Sequence, residues 1–296
     1  MAISANPIFS ALRWPFRPHV GAPFLQSLLI ALISNVTLLA SCSLGHPLSR
    51  GVIGVDDRIP VDSSRWPWRA IGIVQSRHGG ACTGTLIAPS VVLTASHCTY
   101  DLRTGRPLQP SDLHFLPSGE FGQTPASSQS SPIAGIVRPS SGHGQQNPTI
   151  HNMATDWAVA VLRAPLSLRP IPLRIEPLPD GQSIARAGFS KGAHLTLVPS
   201  CRILFRHPTD RFWFTDCDTF AGDSGSPVLA GEGNGIAVVG VSSGLLKDDR
   251  GRPGSVVVPA RVIWSHIQRL RIPGSTHRIL SWMSDHKMAR EDKLPA

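Results

Sequence analysis

Long apolar repeats at helical spacing are what this chain lacks most. Short apolar runs broken by Gly, Pro and Ser dominate its 296 residues, and 27 Gly with 27 Pro supply many of the breaks. That pattern excludes a helical bundle and reads as mainly β. Lysine is scarce, 4 residues against 24 arginines, yet the formal charge is still +9. A basic balance can serve an anionic partner such as nucleic acid or a membrane surface. No run of five basic residues occurs, so the clustered footprint of a nucleic-acid-binding face is missing and no nucleic-acid partner is expected. C-x-x-C, H-E-x-x-H and carboxylate-rich loops are absent too. No metal and no other cofactor is expected.

Acidic residues are missing from the first 41 positions, where the only basic side chains are Arg13 and Arg17. An apolar stretch follows, centred on LLIALI (Leu28–Ile33), and closes on LLASC. A positive flank, an apolar centre and small residues before a cut are the layout of an export signal. Gln26, Ser27, Ser34, Asn35 and Thr37 interrupt the stretch, which excludes the roughly 20 mostly apolar residues of a spanning helix. Residues 1–42 therefore read as an export signal, and the protein as secreted or periplasmic. LASC (Leu39–Cys42) also has the form of a lipoprotein box, in which Cys42 is acylated. Beside that reading stands a plain signal that happens to contain a cysteine, and only the first attaches the protein to a membrane.

Cysteine is rare as well. Apart from Cys42 the residues are Cys82/Cys98 and Cys201/Cys217, each 16 positions from its mate. In an exported chain four cysteines suggest two bridges, with three possible pairings. Four buried free thiols are the alternative.

What is present falls into two strand-rich halves. A polar connector, 43–51, leads into WRAIGIVQS and TGTLIAPSVVLTAS, both strand-like. From Asp101 to Asn152 the chain reads as surface loops around one short strand, IAGIVR, before DWAVAVLRAPL resumes the apolar pattern. A proline-rich bridge, Arg169–Gly181, precedes a second set of strands. RVIWSHIQRLRI is the one amphipathic helix, with Val262, Ile263, Ile267 and Leu270 on one face. The tail beyond Pro273 is polar.

The chemistry gathers around FAGDSGSPVL (Phe220–Leu229). A serine hydroxyl attacks poorly unless an adjacent base removes its proton. Histidine suits that task, its unperturbed pKa lying near ~6.5. A buried carboxylate then fixes the tautomer and stabilises the imidazolium that forms. LTASHCTY places His97 just after an apolar strand, and ATDWAVAVL places Asp156 at the start of another, where a carboxylate without a partner is costly. The order His97, Asp156, Ser224 is one of the three known for this triad. The Ser-Asp-His order of the α/β-hydrolases does not fit. Nor does their elbow, because Ser226 stands where the second glycine is needed.

TASHC, DWAVAVL and GDSGSP resemble the three signature segments of trypsin/chymotrypsin-type serine proteases, and the similarity extends from about Val52 to about Arg271. VIGVDDRIPVDSSRWPWRAIG and DCDTFAGDSGSP resemble the mature start and nucleophile segment of the bacterial glutamyl endopeptidases. The resemblance implies an all-β fold of two six-stranded antiparallel barrels, 52–168 and 169–271, with the site in the cleft between them and a C-terminal helix. It implies an oxyanion hole from the N–H groups of Gly222 and Ser224, and bridges Cys82–Cys98 and Cys201–Cys217. Asp218, Thr219, Ser242 and Ser243 fall at specificity-pocket positions. Glutamyl endopeptidases carry a histidine where this chain has Ser242 and Ser243, so basic or uncharged residues are expected ahead of glutamate. Asp223 is expected to pair with the amine freed at Gly51 or Val52 by cleavage of the 43–51 segment. The implied partner is a protein or peptide substrate, and the implied state a monomer. A non-catalytic peptide-binding module and an esterase of small acyl esters are the competing readings.

Overall fold

The computed structural model describes residues 51–118, 130–139, 150–190, 194–248 and 250–269. The export signal, Cys42, the connector up to Arg50, Leu270 and the tail from 272 lie outside them.

After β1 (Ile59–Pro60) come β2 (Ile71–Ser76), β3 (Ala81–Ala88), β4 (Val91–Thr94), β5 (Leu113–Pro117), β6 (Ser131–Val137) and, beyond the short helix α1 (Ile150–Met153), β7 (Ala158–Leu162). Strands β2 to β7 form a closed antiparallel barrel in the order β2-β3-β4-β7-β6-β5. Its strands follow from the short apolar runs. β5 alternates buried Leu113 and Phe115 with half-buried His114 and Leu116, the period of two that a pleated strand requires. β4 is buried along its whole length. The closing strand β5 belongs to a stretch that reads as loop in the sequence. Only five residues long and ending on Pro117, it leaves too little pattern to see. Its partner is β2, with Ile73 opposite Leu116 and Val74 opposite Phe115.

The second half contributes β8 (Ile184–Gly188), β9 (Thr196–Cys201), β10 (Ile203–Arg206), β11 (Trp213–Thr215), β12 (Pro227–Ala230), β13 (Ala237–Lys247) and β14 (Pro253–Pro259). Their sheet runs β1-β9-β8-β12-β13-β14-β11-β10. β10 at one end and β9, next to β1 at the other, are separated in the chain only by Arg202. The sheet therefore returns on itself through one bent strand, and the fold is that of two barrels. β1 adds to β9, Ile59 opposite Leu197, so the segment leading into the first barrel is stitched to the second. Helix α2 (Ala260–Arg269) closes the described chain, with Ile263 and Ile267 buried and Val262 packed against the core.

Candidate active site

His97 lies on a 3-10 turn, Ser96–Thr99, entered directly from β4. Asp156 lies between α1 and β7, beside the fully buried Trp157. Those two positions bring the side chains together. His97 Nδ1 is 2.8 Å from Asp156 Oδ2, and the backbone N–H of His97 donates to Oδ1 at 2.9 Å. Ser243 Oγ, on β13, donates to Oδ2 at 2.5 Å. Burial opposes ionisation of Asp156, but the His97 ring and these two donors together hold its carboxyl below the usual range. The result is a buried anion aimed at one nitrogen of a histidine.

Ser224 sits in the loop between β11 and β12, and the first barrel fixes that loop. The N–H of Thr83, on β3, donates to the carbonyl of Ser224 at 2.9 Å, and its hydroxyl donates to the carbonyl of Gly222 at 2.8 Å. Gly225 has φ +81°, and a β-carbon there would lie 2.2 Å from the carbonyl of Thr83 and 2.9 Å from the nitrogen of Ala95. Only glycine lets the nucleophile loop come so close to the strand that delivers His97. Cys82 adjoins Thr83, Cys98 adjoins His97, and the two sulfurs are joined. A second disulfide joins Cys201 to Cys217. His97 Nε2 or Nδ1 and the sulfurs of Cys82 and Cys98 lie within 4.8 Å of one another. Oxidised to a disulfide, those sulfurs offer no thiolate, so this trio does not suit a metal.

Gly222, at φ +95°, shapes the turn before Ser224. The N–H of Asp223 is used, donating to the carbonyl of Phe220 at 3.0 Å. Among the described residues nothing accepts from the N–H of Gly222 or from that of Ser224. Two free donors on one turn are suited to stabilise an oxygen that gains negative charge.

Asp223 requires a correction. A freed terminal amine is not needed to neutralise it, because Arg186 on β8 supplies the cation. Arg186 Nη1 stands 2.7 Å from Asp223 Oδ1 with both side chains wholly buried. Asp223 Oδ2 accepts from the N–H of Phe220 and from Ser190 Oγ, each at 2.8 Å. A buried carboxylate needs a cation and hydrogen bonds, and this one has both from within the barrel.

The four residues expected in the specificity pocket divide. Ser243 is turned to Asp156, as above, which makes it part of the carboxylate's support. Thr219 bonds internally, its hydroxyl to the carbonyl of Cys217 and its N–H to the carbonyl of Gly51. Asp218 is 1% exposed. Its Oδ1 accepts from the N–H of Ile53 at 2.6 Å, whereas Oδ2 is buried with no partner among the described residues. Burial raises its pKa against the Ile53 donor, and the nearby Asp57 and Asp56 add to the rise while Arg58 opposes it. The Ser242 hydroxyl is also buried and unpartnered.

The trypsin family model matches residues 59–264. The chain belongs to the trypsin family. Within it, 57 residues are 46% identical to a glutamyl endopeptidase of Bacillus licheniformis, covering 19% of this chain and 18% of that protein. Transmembrane protease serine 5 of Homo sapiens is 35% identical over 71 residues, 24% of this chain and 14% of its own. Chymotrypsin-like elastase family member 3B of Homo sapiens is 34% identical over 84 residues, 26% and 30%. Each match spans less than a third of the relative. A solved Glu endopeptidase superposes with a TM-score of 0.55 at 22% identity, covering 74% of this chain and 100% of that one. This likeness shows the fold, two barrels of the trypsin kind.

Two residues of this trypsin-family site were not singled out from the sequence. Thr83 reads as one more small residue in a strand. Arg186, in IARAG, reads as an outward strand position, and the only signal for it was the demand of a buried Asp223 for a cation.

Proposed function

We propose that this chain is an exported serine endopeptidase acting through Ser224, His97 and Asp156. The observation that carries the reading is the pair of free N–H groups at Gly222 and Ser224, on a loop hydrogen-bonded to β3, which pairs with the strand that leads to a carboxylate-bound histidine. Ser224 Oγ bonds to the carbonyl carbon of the peptide while His97 takes the hydroxyl proton. The carbonyl oxygen, now an anion, is met by the two N–H groups. The C–N bond breaks as His97 returns the proton to the leaving amine, and an acyl group remains on Ser224. Water, deprotonated by His97, releases the acid. Asp156 holds the ring in the tautomer that keeps its other nitrogen basic, and stays ionised itself.

For substrates, the site favours basic or uncharged residues over glutamate, because no histidine stands at Ser242 or Ser243 to meet an acidic side chain and the acid Asp218 lies on the nucleophile loop. Export is supported by two disulfides, which suit an oxidising compartment. We take 52–168 and 169–271 as the two barrels, and a soluble monomer beginning at Gly51 or Val52 as the working form. Acylation of Cys42 would hold only the unprocessed chain.

A fluorophosphonate probe tests the reading. It should label the wild type once, at Ser224, and leave Ser224→Ala unlabelled. Peptide turnover should fall about 10⁶-fold in Ser224→Ala and by a similar factor in His97→Ala, since such residues act as a unit. Labelling without peptide hydrolysis would favour the esterase, and no labelling the binding module. Turnover within tenfold of wild type in either variant would overturn the triad.

A further inference from the structure

A groove of about 750 Å³ opens on the outer face of the second barrel. Ile53, whose N–H holds Asp218, lines its wall nearest the nucleophile loop. Its floor is a cross-strand row: Phe205 on β10 faces Phe214 on β11, and Phe214 faces Val256 on β14. A register irregularity between Ile203 and Phe205 breaks the strand's alternation, and the neighbouring Leu204 and Phe205 are 51% and 49% exposed. Large apolar side chains so exposed in one concavity mark an interaction site more often than chance.

The rim is cationic. Arg202, Lys247, Arg250 and Arg252 line it together with only two carboxylates, Asp216 and Asp248. Asp216 is taken by Arg202 at 2.9 Å and Asp248 by Arg252 at 2.7 Å. Lys247 and Arg250 are exposed and have no acidic partner among the described residues. Apolar floor and unpaired rim cations select different parts of one ligand.

We propose that this groove docks an acidic, amphipathic peptide segment of another protein, its aromatic or aliphatic side chains on the Phe205–Phe214–Val256 floor and its carboxylates on Lys247 and Arg250. The chemistry favours a peptide over the other anionic partners. A nucleic acid could stack bases on Phe205, but two unpaired rim cations and a chain with no run of five basic residues give its phosphates little to bind, and a bilayer meets protruding apolar surface, not a walled groove. The volume lies within the range of sites that hold a few side chains. None of these residues belongs to the proposed catalytic machinery, so docking and hydrolysis can fail separately.

The experiment uses the full chain carrying Ser224→Ala, so that the probe survives, and fluorescence anisotropy of a labelled eight-residue peptide alternating Glu with Phe and Leu. The peptide should bind saturably. Phe205→Ser, and separately Lys247→Glu with Arg250→Glu, should each weaken binding by about tenfold or more. Replacing every Glu of the probe by Lys should weaken it at least as much. In the otherwise wild-type chain the double charge variant should leave hydrolysis of a short peptide substrate unchanged. Equal binding of the Glu and Lys probes, or affinity unchanged in both groove variants, would overturn the proposal. So would co-sedimentation with phosphatidylserine vesicles that is lost in the double variant while peptide binding is not, because the rim would then serve a membrane.

Discussion

Asp218 and Asp223 lie five residues apart on the same loop, 1% and 0% exposed, and they are neutralised in opposite ways. Asp223 has a guanidinium at 2.7 Å and two further donors on its other oxygen. Asp218 has one backbone donor, from Ile53, and an oxygen that nothing meets among the described residues. Burial is the same and compensation is not. The end of the loop that carries the free donors of Gly222 and Ser224 is thus anchored by a buried ion pair, although Asp223 Oδ1 and Arg186 Nε and Nη2 lack well-aligned hydrogen bonds among the described residues. The end bonded to the N-terminal segment has a buried carboxyl with one backbone donor and no ion-pair partner within 4 Å among the described residues.

Removing the cation should have the largest effect. Arg186→Met leaves Asp223 buried and uncompensated, a loss of about 3–5 kcal/mol. The displaced turn should forfeit at least one oxyanion donor, about 10²–10³ in turnover. Denaturant unfolding and peptide kinetics on the same sample read both. Arg186→Lys, which keeps the charge but not the fork, should recover part of each. Turnover within tenfold in Arg186→Met would mean that the ion pair does not set the turn.

A smaller effect is expected from processing. If Asp223 already has its cation, the amine freed at Val52 is not needed to form the oxyanion turn. Chains beginning at Ser43 and at Val52 should then differ in kcat/KM by less than about tenfold, under about 1.4 kcal/mol in the barrier. A longer form that is inert until cut would restore the amine to the role that Arg186 fills.

His97, Asp156 and Ser224 could be named from the sequence because nucleophilic chemistry confines each to a short motif in a fixed order. Cys82 and Cys98 were legible for a related reason, since they flank segments that already stood out. Arg186 was hidden, because a single arginine in a strand gives no sign of which face it takes. Its burial depends on Asp223, 37 positions away in the chain. The bond of Ser243 to Asp156 was hidden for a similar reason. Adjacent Ser242 and Ser243 look alike in sequence, but only Ser243 reaches Asp156, while the Ser242 hydroxyl is buried with no partner among the described residues. β5 was lost to its length, and the apolar outer row of β10, β11 and β14 to its being assembled from three distant segments.

The smallest effect expected is that of Asp218→Asn, and its sign depends on pH. Burial raises the folded-state pKa of Asp218, so the folded chain holds this proton to higher pH than the unfolded chain does. At low pH both states are protonated and Asp218 costs nothing. As pH rises from the unfolded carboxylate pKa to the raised folded value, the unfolded state gains by ionising first and the wild type loses stability. Asp156 behaves oppositely: its folded pKa is lowered, so its contribution is present above the unfolded pKa and is lost as the pH falls from there through the lowered folded value. Because Asp156 is common to both chains, the difference between them isolates Asp218. Asn can still accept from Ile53 through Oδ1 and carries no charge. Near neutral pH Asp218→Asn should therefore be more stable by about 1 kcal/mol, a rise of about 2–4 °C in Tm, with the gap closing toward pH 3. Thermal melts of both chains at pH 3 and pH 7 measure it. A gap that is the same at both pH values, or a variant less stable at pH 7, would mean that the charge of Asp218 is compensated after all.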